Sequence, residues 1–321
     1  MILLLTNERD LTSDYVVLEL QRRRLAYFRL NSETLPSAKV SFDPKHGEDS
    51  WKINFGEKSL DLSSVKAAYF RRPGTPSANL LGESEVGARY CDAEWVSTLS
   101  YIIGSLGDRW LNSPGAIMSA ENKPRQLSLA YGLGFDIPET LISNDFLKVQ
   151  SFSLLRMIIA KPLREALIQG PKERVIFTSK VEQIEEVDQL GIEACPVIYQ
   201  REVSKRADIR VTVVGEEAYS AEISSQDFDD TKTDWRRGSN VDLVHTPHKL
   251  PKSIEDKCVR LTEELGLRFG AIDLILDDEG TYWFLEINPN GQWAWIENRT
   301  GLPISKAIVD ELERIKLCAQ K

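Results

Sequence analysis

Apolar residues recur along the chain at two periods, and the change from one to the other marks its elements. The apolar run 2–5 predicts a buried strand. Thr12 or Ser13 is placed to cap a helix through Arg24, with Asp14 favourable in its first turn. Residues 26–30 follow as a second strand, so the chain opens as a βαβ unit. Its first turn, Thr6 to Asp10, has no glycine that would let a phosphate approach the backbone, which speaks against nucleotide binding there. A small hairpin is expected over 51–55 and 58–62, around Gly56. Residues 65–70 form another strand running into Arg71-Arg72-Pro73, a pair suited to a phosphate or an acidic peptide and equally to a solvated loop. The 83–106 stretch has helical spacing, with Tyr90, Trp95, Leu99 and Ile102 or Ile103 on its inner face and Gly107 as its stop.

After a short connector at 110–114, Ser119 is placed to cap a helix reaching Leu133, with Gly134 ending it. Lys123 falls in its first turn, the positive end of the helix. It reads either as an exposed side chain or as one that meets an anion. The stretch 151–157 is expected to be helical. The apolar strand 157–161 ends in Lys161. The segment 163–174 carries Arg164, Gly170, Lys172 and Arg174, and resembles a loop able to cover a phosphate. A polar helix is expected over 181–190 and a strand over 196–203. Along 208–214 the period is two: Asp208, Arg210 and Thr212 share one face, with Ile209, Val211 and Val213 on the other. In Trp235-Arg236-Arg237 two arginines beside a tryptophan suit an anion, though a surface loop explains them as well. His245 and His248 lack further ligands and read as exposed loop residues.

The most informative pattern is 271–287. Two apolar strands flank the turn Asp277-Asp278-Glu279-Gly280, and Pro289 ends the second. Inside this apolar hairpin stand Asp273 and Glu286. A carboxylate buried without a partner costs several kcal/mol or is neutralised, so both call for one. Glu286 and Asn288 share a face. Two carboxylates and an amide oxygen are the hard donors that suit Mg²⁺.

Composition narrows the class. With 321 residues, 42% hydrophobic, the chain can bury real cores. A net charge of −9 disfavours nucleic acid as a partner. The four cysteines form no CxxC pair, and no apolar stretch is long enough to span a bilayer. These traits point to a cytoplasmic protein without a zinc or membrane site.

The order of these pieces resembles the ATP-grasp ligase superfamily: Lys123, Lys161, Tyr199-Gln-Arg-Glu-Val203, Asp208 to Gly215, Asp273 and Glu286-Ile-Asn288. The C-terminal half is similar to the ribosomal protein S6 glutamate ligase type. Tyr69-Phe-Arg-Arg-Pro73 and the run from Phe284 to Trp295 are similar to the ATP-grasp maturases of microviridin-type peptides, or graspetides. The resemblance implies an α/β (α+β) fold: a Rossmann-like pre-ATP-grasp domain over 1–114, a central ATP-grasp subdomain over 115–199 and a C-terminal one over 200–321. It implies that Lys123 and Lys161 contact ATP phosphates, that the backbone of Gln200, Arg201, Glu202 and Val203 meets the adenine, and that Asp208 lies near the ribose. Arg201 stands where the superfamily often has an acid. Asp273, Glu286 and Asn288 would hold Mg²⁺, and Arg210 with Arg236 or Arg237 would face the transferring phosphoryl group.

For function the resemblance implies attack of a substrate carboxylate on the γ-phosphate, giving an acyl phosphate that a nucleophile then opens. In the maturases the carboxylate and nucleophile are side chains of one ribosomal precursor peptide, whose leader also binds the enzyme, and the family suggests a homodimer. The alternatives are a RimK-like ligase adding a free amino acid and a nucleotide-binding scaffold without catalysis.

Overall fold

The structure, a computed structural model, describes residues 1–77, 85–154, 156–164, 167–168, 174–235 and 243–318. The N-terminal sheet is parallel, with Ile2–Thr6 between Tyr27–Asn31 and Ala67–Phe70. The helix Leu11–Arg22 is capped two to three residues earlier than the sequence reading placed it. Asp10 is the cap, accepting from both the Ser13 amide (3.2 Å) and the Ser13 hydroxyl (2.6 Å). Ser13 is therefore a donor to the cap, and Thr12 has no capping role. A small antiparallel sheet, Lys39–Ser41, Lys52–Phe55 and Lys58–Asp61, contains the expected hairpin and one strand more.

The long helix runs Glu85–Gly104, and Leu99 and Ile102 point inward. Tyr90 does not: it is 67% exposed. Nine residues separate it from Leu99, two and a half helical turns, which puts the two on opposite faces. The single helix expected from Ser119 is two, Pro114–Ala120 capped by Ser113 and Lys123–Gly132 capped by Asn122. Pro124 has no amide to continue a preceding helix, so it starts a new one.

The central sheet is antiparallel, in the order Ser179–Val181, Ile158–Lys161, Val197–Arg201, Thr140–Ser143. The helix expected at 151–157 is Phe146–Ser153, started earlier by the Asp145 cap. The polar helix expected over 181–190 is absent there. Val181 ends a strand, and helical structure begins with the turn Glu186–Asp188 and the helix Gln189–Glu193. A five-stranded antiparallel sheet follows, in the order His245–His248, Glu217–Ile223, Ala207–Val214, Phe269–Leu276, Tyr282–Asn288. His245 and His248 thus lie in an edge strand. His248 is held between Glu222 Oε2 (2.9 Å) and the Tyr282 hydroxyl (2.8 Å), so the loop reading is corrected by strand pairing to Glu217–Ile223.

The helix Ile304–Cys318 joins the two ends of the chain. Ile304, Ile308 and Leu312 share one core with Ile2, Leu4, Val16 and Trp293. Arg23 reinforces the join through Asp310 (2.6 Å) and Glu313 (2.9 Å) and also pairs with Glu19. The Arg22 hydrogen bond, joined by that of Arg23, holds the Glu19 carboxyl down at about 2. A depressed carboxylate stabilises the fold above its unfolded value of 4.5 and loses that share as pH falls toward 2. After solvent screening this share is about 1–2 kcal/mol. The stability gap between the parent and Glu19→Gln should therefore narrow as urea midpoints are measured from about pH 6 down to about pH 3. A gap that stays constant would show that the Glu19 charge contributes nothing.

Candidate active site

The hairpin owes its chemistry to a β-bulge. Asp273 is paired with Glu286, but Leu274 is paired with Phe284, so Leu285 is an extra residue on the second strand. Tyr282 and Phe284 face the helix-covered core, as does Ile287. Strict alternation from Phe284 would put Glu286 in that core. The extra residue reverses the parity, and both Leu285 and Glu286 face a cleft. The bulge thus aims the carboxylate.

The cleft, about 510 Å³, lies between the central sheet and the five-stranded sheet. It gathers Lys123, Lys161, Gln200, Asp208, Asp273, Glu286 and Asn288, which the sequence spreads over more than half of the chain. Lys123 Nζ lies 3.2 Å from Glu286 Oε2 and donates to the Pro162 carbonyl (3.1 Å). Arg210 does not line the cleft. Its Nη1 is 2.8 Å from Asp273 Oδ1, and its Nη2 donates to the Gln292 carbonyl (3.3 Å). Gly291 permits this approach, since a Cβ there would fall 2.8 Å from Arg210 Nη2 and 2.4 Å from the Ala271 side chain. Asp208 accepts hydrogen bonds from Lys205 (2.8 and 3.1 Å) and from the Ser225 side chain, yet burial pushes its carboxyl above the ordinary range.

Other expected residues lie elsewhere. Arg201 stacks over Trp283, 5.0 Å from the ring centre, and Glu202 pairs with Lys180 (2.6 Å). Neither they nor Val203 line the cleft. The amides of Arg201 and Glu202 donate to Glu139 and Met157 carbonyls, so these donors are spent within the protein. Arg236, Arg237, Gly170 and Lys172 lie outside the described residues. Arg71 matches neither sequence reading, a ligand site or a solvated loop. It is wholly buried, hydrogen-bonded to the Asn290 carbonyl and to Asn290 Oδ1 (3.0 Å), with Asp10 Oδ2 3.7 Å from its Nε. It ties the N-terminal sheet to the chain just beyond Asn288.

The sequence reading missed Gln126, Lys205, Thr178 and Asp234, all in the cleft wall. Gln126 had a usable signal: three residues after Lys123, it shares that helix face. Thr178 and Asp234 meet only in space, through a 3.2 Å amide–carboxylate hydrogen bond.

Two features bear on what the cleft accepts. Gln200 is fully buried, and its Nε2 donates to Thr140 Oγ1 (2.8 Å), whose own proton goes to the Pro138 carbonyl (2.6 Å). This relay fixes the amide orientation and leaves Gln200 Oε1 without a partner among the described residues. A buried acceptor of this kind fits an amino group on a bound base, as adenine carries and guanine at the same position does not. At the other end, two carboxylates and the exposed Asn288 offer hard oxygen donors beside two cations. No group of three or more His, Cys, Asp or Glu is present among the described residues. One or two carboxylates completed by substrate phosphates is how Mg²⁺ is ordinarily held, so the residues fit that ion.

Comparison with known proteins identifies the family. Residues 120–312 match the RimK-like ATP-grasp domain. The chain is similar over 98% of its length to the macrocyclase MdnC of Microcystis aeruginosa MRC, solved bound with its precursor peptide MdnA, at 31% identity, TM-score 0.82 and 99% coverage of that chain. It is similar to a Chryseobacterium gregarium RiPP-associated ATP-grasp ligase, solved with ADP and a leader and core peptide, at 28% identity and TM-score 0.83, covering 97% of this chain and 96% of that one. It also resembles the ribosomal protein bS6–L-glutamate ligase of Salmonella paratyphi B, 26% identical over 214 residues, 65% of this chain and 69% of the relative. With its cleft and its whole-length match, the chain belongs to the RimK-like ATP-grasp ligases.

Proposed function

We propose that this ligase uses ATP and Mg²⁺ to activate Asp or Glu side-chain carboxylates of a ribosomal precursor peptide and closes them onto side chains of the same peptide. The observation that carries the reading is whole-length likeness to two enzymes solved with their peptides, whereas the glutamate ligase matches only 65% of the chain. In this reading 1–114 is the pre-ATP-grasp domain, and 115–199 and 200–321 are the two grasp subdomains. The setting is cytoplasmic and the assembly a homodimer, with leader and core both bound.

Bound Mg²⁺ would supply charge neutralisation at the phosphates, held by Asp273, Glu286 and Asn288. Lys123 and Lys161 bind the phosphates. Gln200 receives the adenine amine and Asp208 faces the ribose. Arg236 or Arg237 orients and neutralises the transferring phosphoryl group, while Arg210, outside the cleft, acts on it through Asp273, which it holds at 2.8 Å; preorganised charge of this kind dominates such transfers. The substrate carboxylate displaces ADP at the γ-phosphorus. A Thr or Ser hydroxyl then gives an ester, or a Lys amine an amide, as phosphate leaves. No covalent enzyme intermediate is required, and holding both groups on one peptide supplies much of the rate.

The second reading, a RimK-like ligase adding a free amino acid, is favoured by the family model and the glutamate-ligase match. A non-catalytic scaffold fits poorly with two lysines and two acids kept in one cleft. ADP release separates them: this reading expects release with a precursor peptide and none with free amino acids. Release with free amino acids alone would overturn it. Binding of ATP without turnover of either would favour the scaffold. Base choice gives a further prediction. Gln200→Leu should reduce the preference for ATP over GTP by about tenfold in kcat/KM, because the fixed acceptor is gone. An unchanged ratio would remove Gln200 from base recognition.

A further inference from the structure

The strand Tyr282–Asn288 lies at the edge of its sheet, so one row of its backbone groups has no strand to pair with. Where Glu286 and Asn288 flank Ile287, a side chain takes the place of the missing strand. Gln126 accepts from the Ile287 amide through Oε1 (3.1 Å) and donates through Nε2 to the Ile287 carbonyl (2.8 Å). The same Nε2 donates to the Ala120 carbonyl (2.7 Å). Gln126 is 2% exposed, so these bonds are shielded from bulk solvent.

A second buried amide grips the far side of Asn288. Asn112 donates to the carbonyls of Pro289 (2.9 Å) and Phe269 (2.7 Å) and accepts from the amides of Arg268 (2.8 Å) and Phe269 (3.1 Å). The backbone is therefore held at 287 and 289, on each side of one proposed donor. At 287 the grip also lies between Glu286 and Asn288. A small rotation at Ile287 would swing the two side chains apart, and a two-point hydrogen bond removes that freedom. Gln126 stands on the same helix as Lys123, whose Nζ reaches Glu286. One helix face thus sets both the lysine and the strand that carries the acid.

We infer that Gln126 is a positioning residue for the metal end of the site, holding Glu286 and Asn288 in mutual register, with Asn112 as the second clamp. The inference rests on the metal reading above. Supporting contacts of this kind are typically worth ten- to a hundredfold in metal affinity.

The test uses Mn²⁺ as the probe, with bound and free ion separated by electron paramagnetic resonance in the presence of ADP. The parent, Gln126→Met, Gln126→Glu and Glu286→Gln are compared, with binding of a fluorescent ADP analogue in EDTA as the control for an intact cleft. Gln126→Met should weaken Mn²⁺ binding by about tenfold while metal-free nucleotide binding stays at the parent level. Gln126→Glu keeps the side-chain length and the acceptor toward the Ile287 amide but sets a carboxylate oxygen against the Ile287 and Ala120 carbonyls, and should weaken Mn²⁺ binding at least as much. It carries the test if the methionine variant does not fold. A general structural defect would lower both readouts together and overturn the inference. So would parent-level Mn²⁺ binding in both Gln126 variants. If the parent itself took up no Mn²⁺, the metal reading would fall and this inference with it. Parent uptake with unchanged Gln126 variants would sink the clamp alone.

Discussion

Glu286→Gln is expected to leave a folded protein that ligates at least about 10³-fold more slowly. The substitution keeps the side chain's volume and removes its charge. Glu286 is partly exposed to the cleft, its side chain 21% accessible, so the fold loses little with it. What is lost is a carboxylate opposite Asp273 on the neighbouring strand, and the partner that holds Lys123 at 3.2 Å. Transition-state charge in phosphoryl transfer is met almost entirely by such fixed groups, so the expected fall is in kcat. The check is a steady-state assay beside thermal melting. Parent-level turnover in a folded variant would remove Glu286 from the metal site.

Trp293→Ala should be the most damaging substitution for stability, by about 3–5 kcal/mol, which lowers Tm by about 10 °C in a chain of this size. The indole is wholly buried and donates to the Tyr69 hydroxyl (3.2 Å). Its ring meets Tyr15 edge-on with centroids 6.1 Å apart. It therefore joins the opening helix, the N-terminal sheet and the segment that follows the hairpin. Trp293→Phe keeps most of the area and should lose less. A melting temperature within about 2 °C of the parent for Trp293→Ala would show that the core does not depend on it.

Trp293 also shows where sequence reasoning reached its limit. The run from Phe284 to Trp295 pointed to the peptide maturases, and whole-length similarity to MdnC bears out that kinship. The run could not say that the first of its tryptophans is core, while Trp295 is half-buried against His245 and Trp235. Arg71 is a similar case: an arginine at a strand end reads as a ligand group until its burial against Asn290 is seen. Lys123, Lys161, Asp273 and Glu286 were legible because a charge at a helix start, at a strand end or inside an apolar hairpin calls for a partner, and one cleft gathers all four. The bulge at Leu285 was not, since nothing local distinguishes the apolar run with it from the run without it. Tyr90 was misplaced by periodicity read across too long a helix. Asp10 was passed over as a cap because Thr12 and Ser13 are equally good capping types, and only the hydrogen bonds decide among them. Gln126 and Asn112 bind backbone far away in sequence, which no spacing rule announces.

In the proposed function a peptide's own carboxylate is activated by ATP and closed onto the same peptide. Mass spectrometry of a candidate precursor peptide carrying clustered Thr or Lys and Asp or Glu residues tests it most directly, with ADP counted in the same reaction. The expected result is loss of one water from the peptide for each ADP formed, no incorporation of added free amino acids, and neither change with Glu286→Gln. A peptide that gains the mass of an added amino acid, or ADP formed with the peptide unaltered, would contradict it.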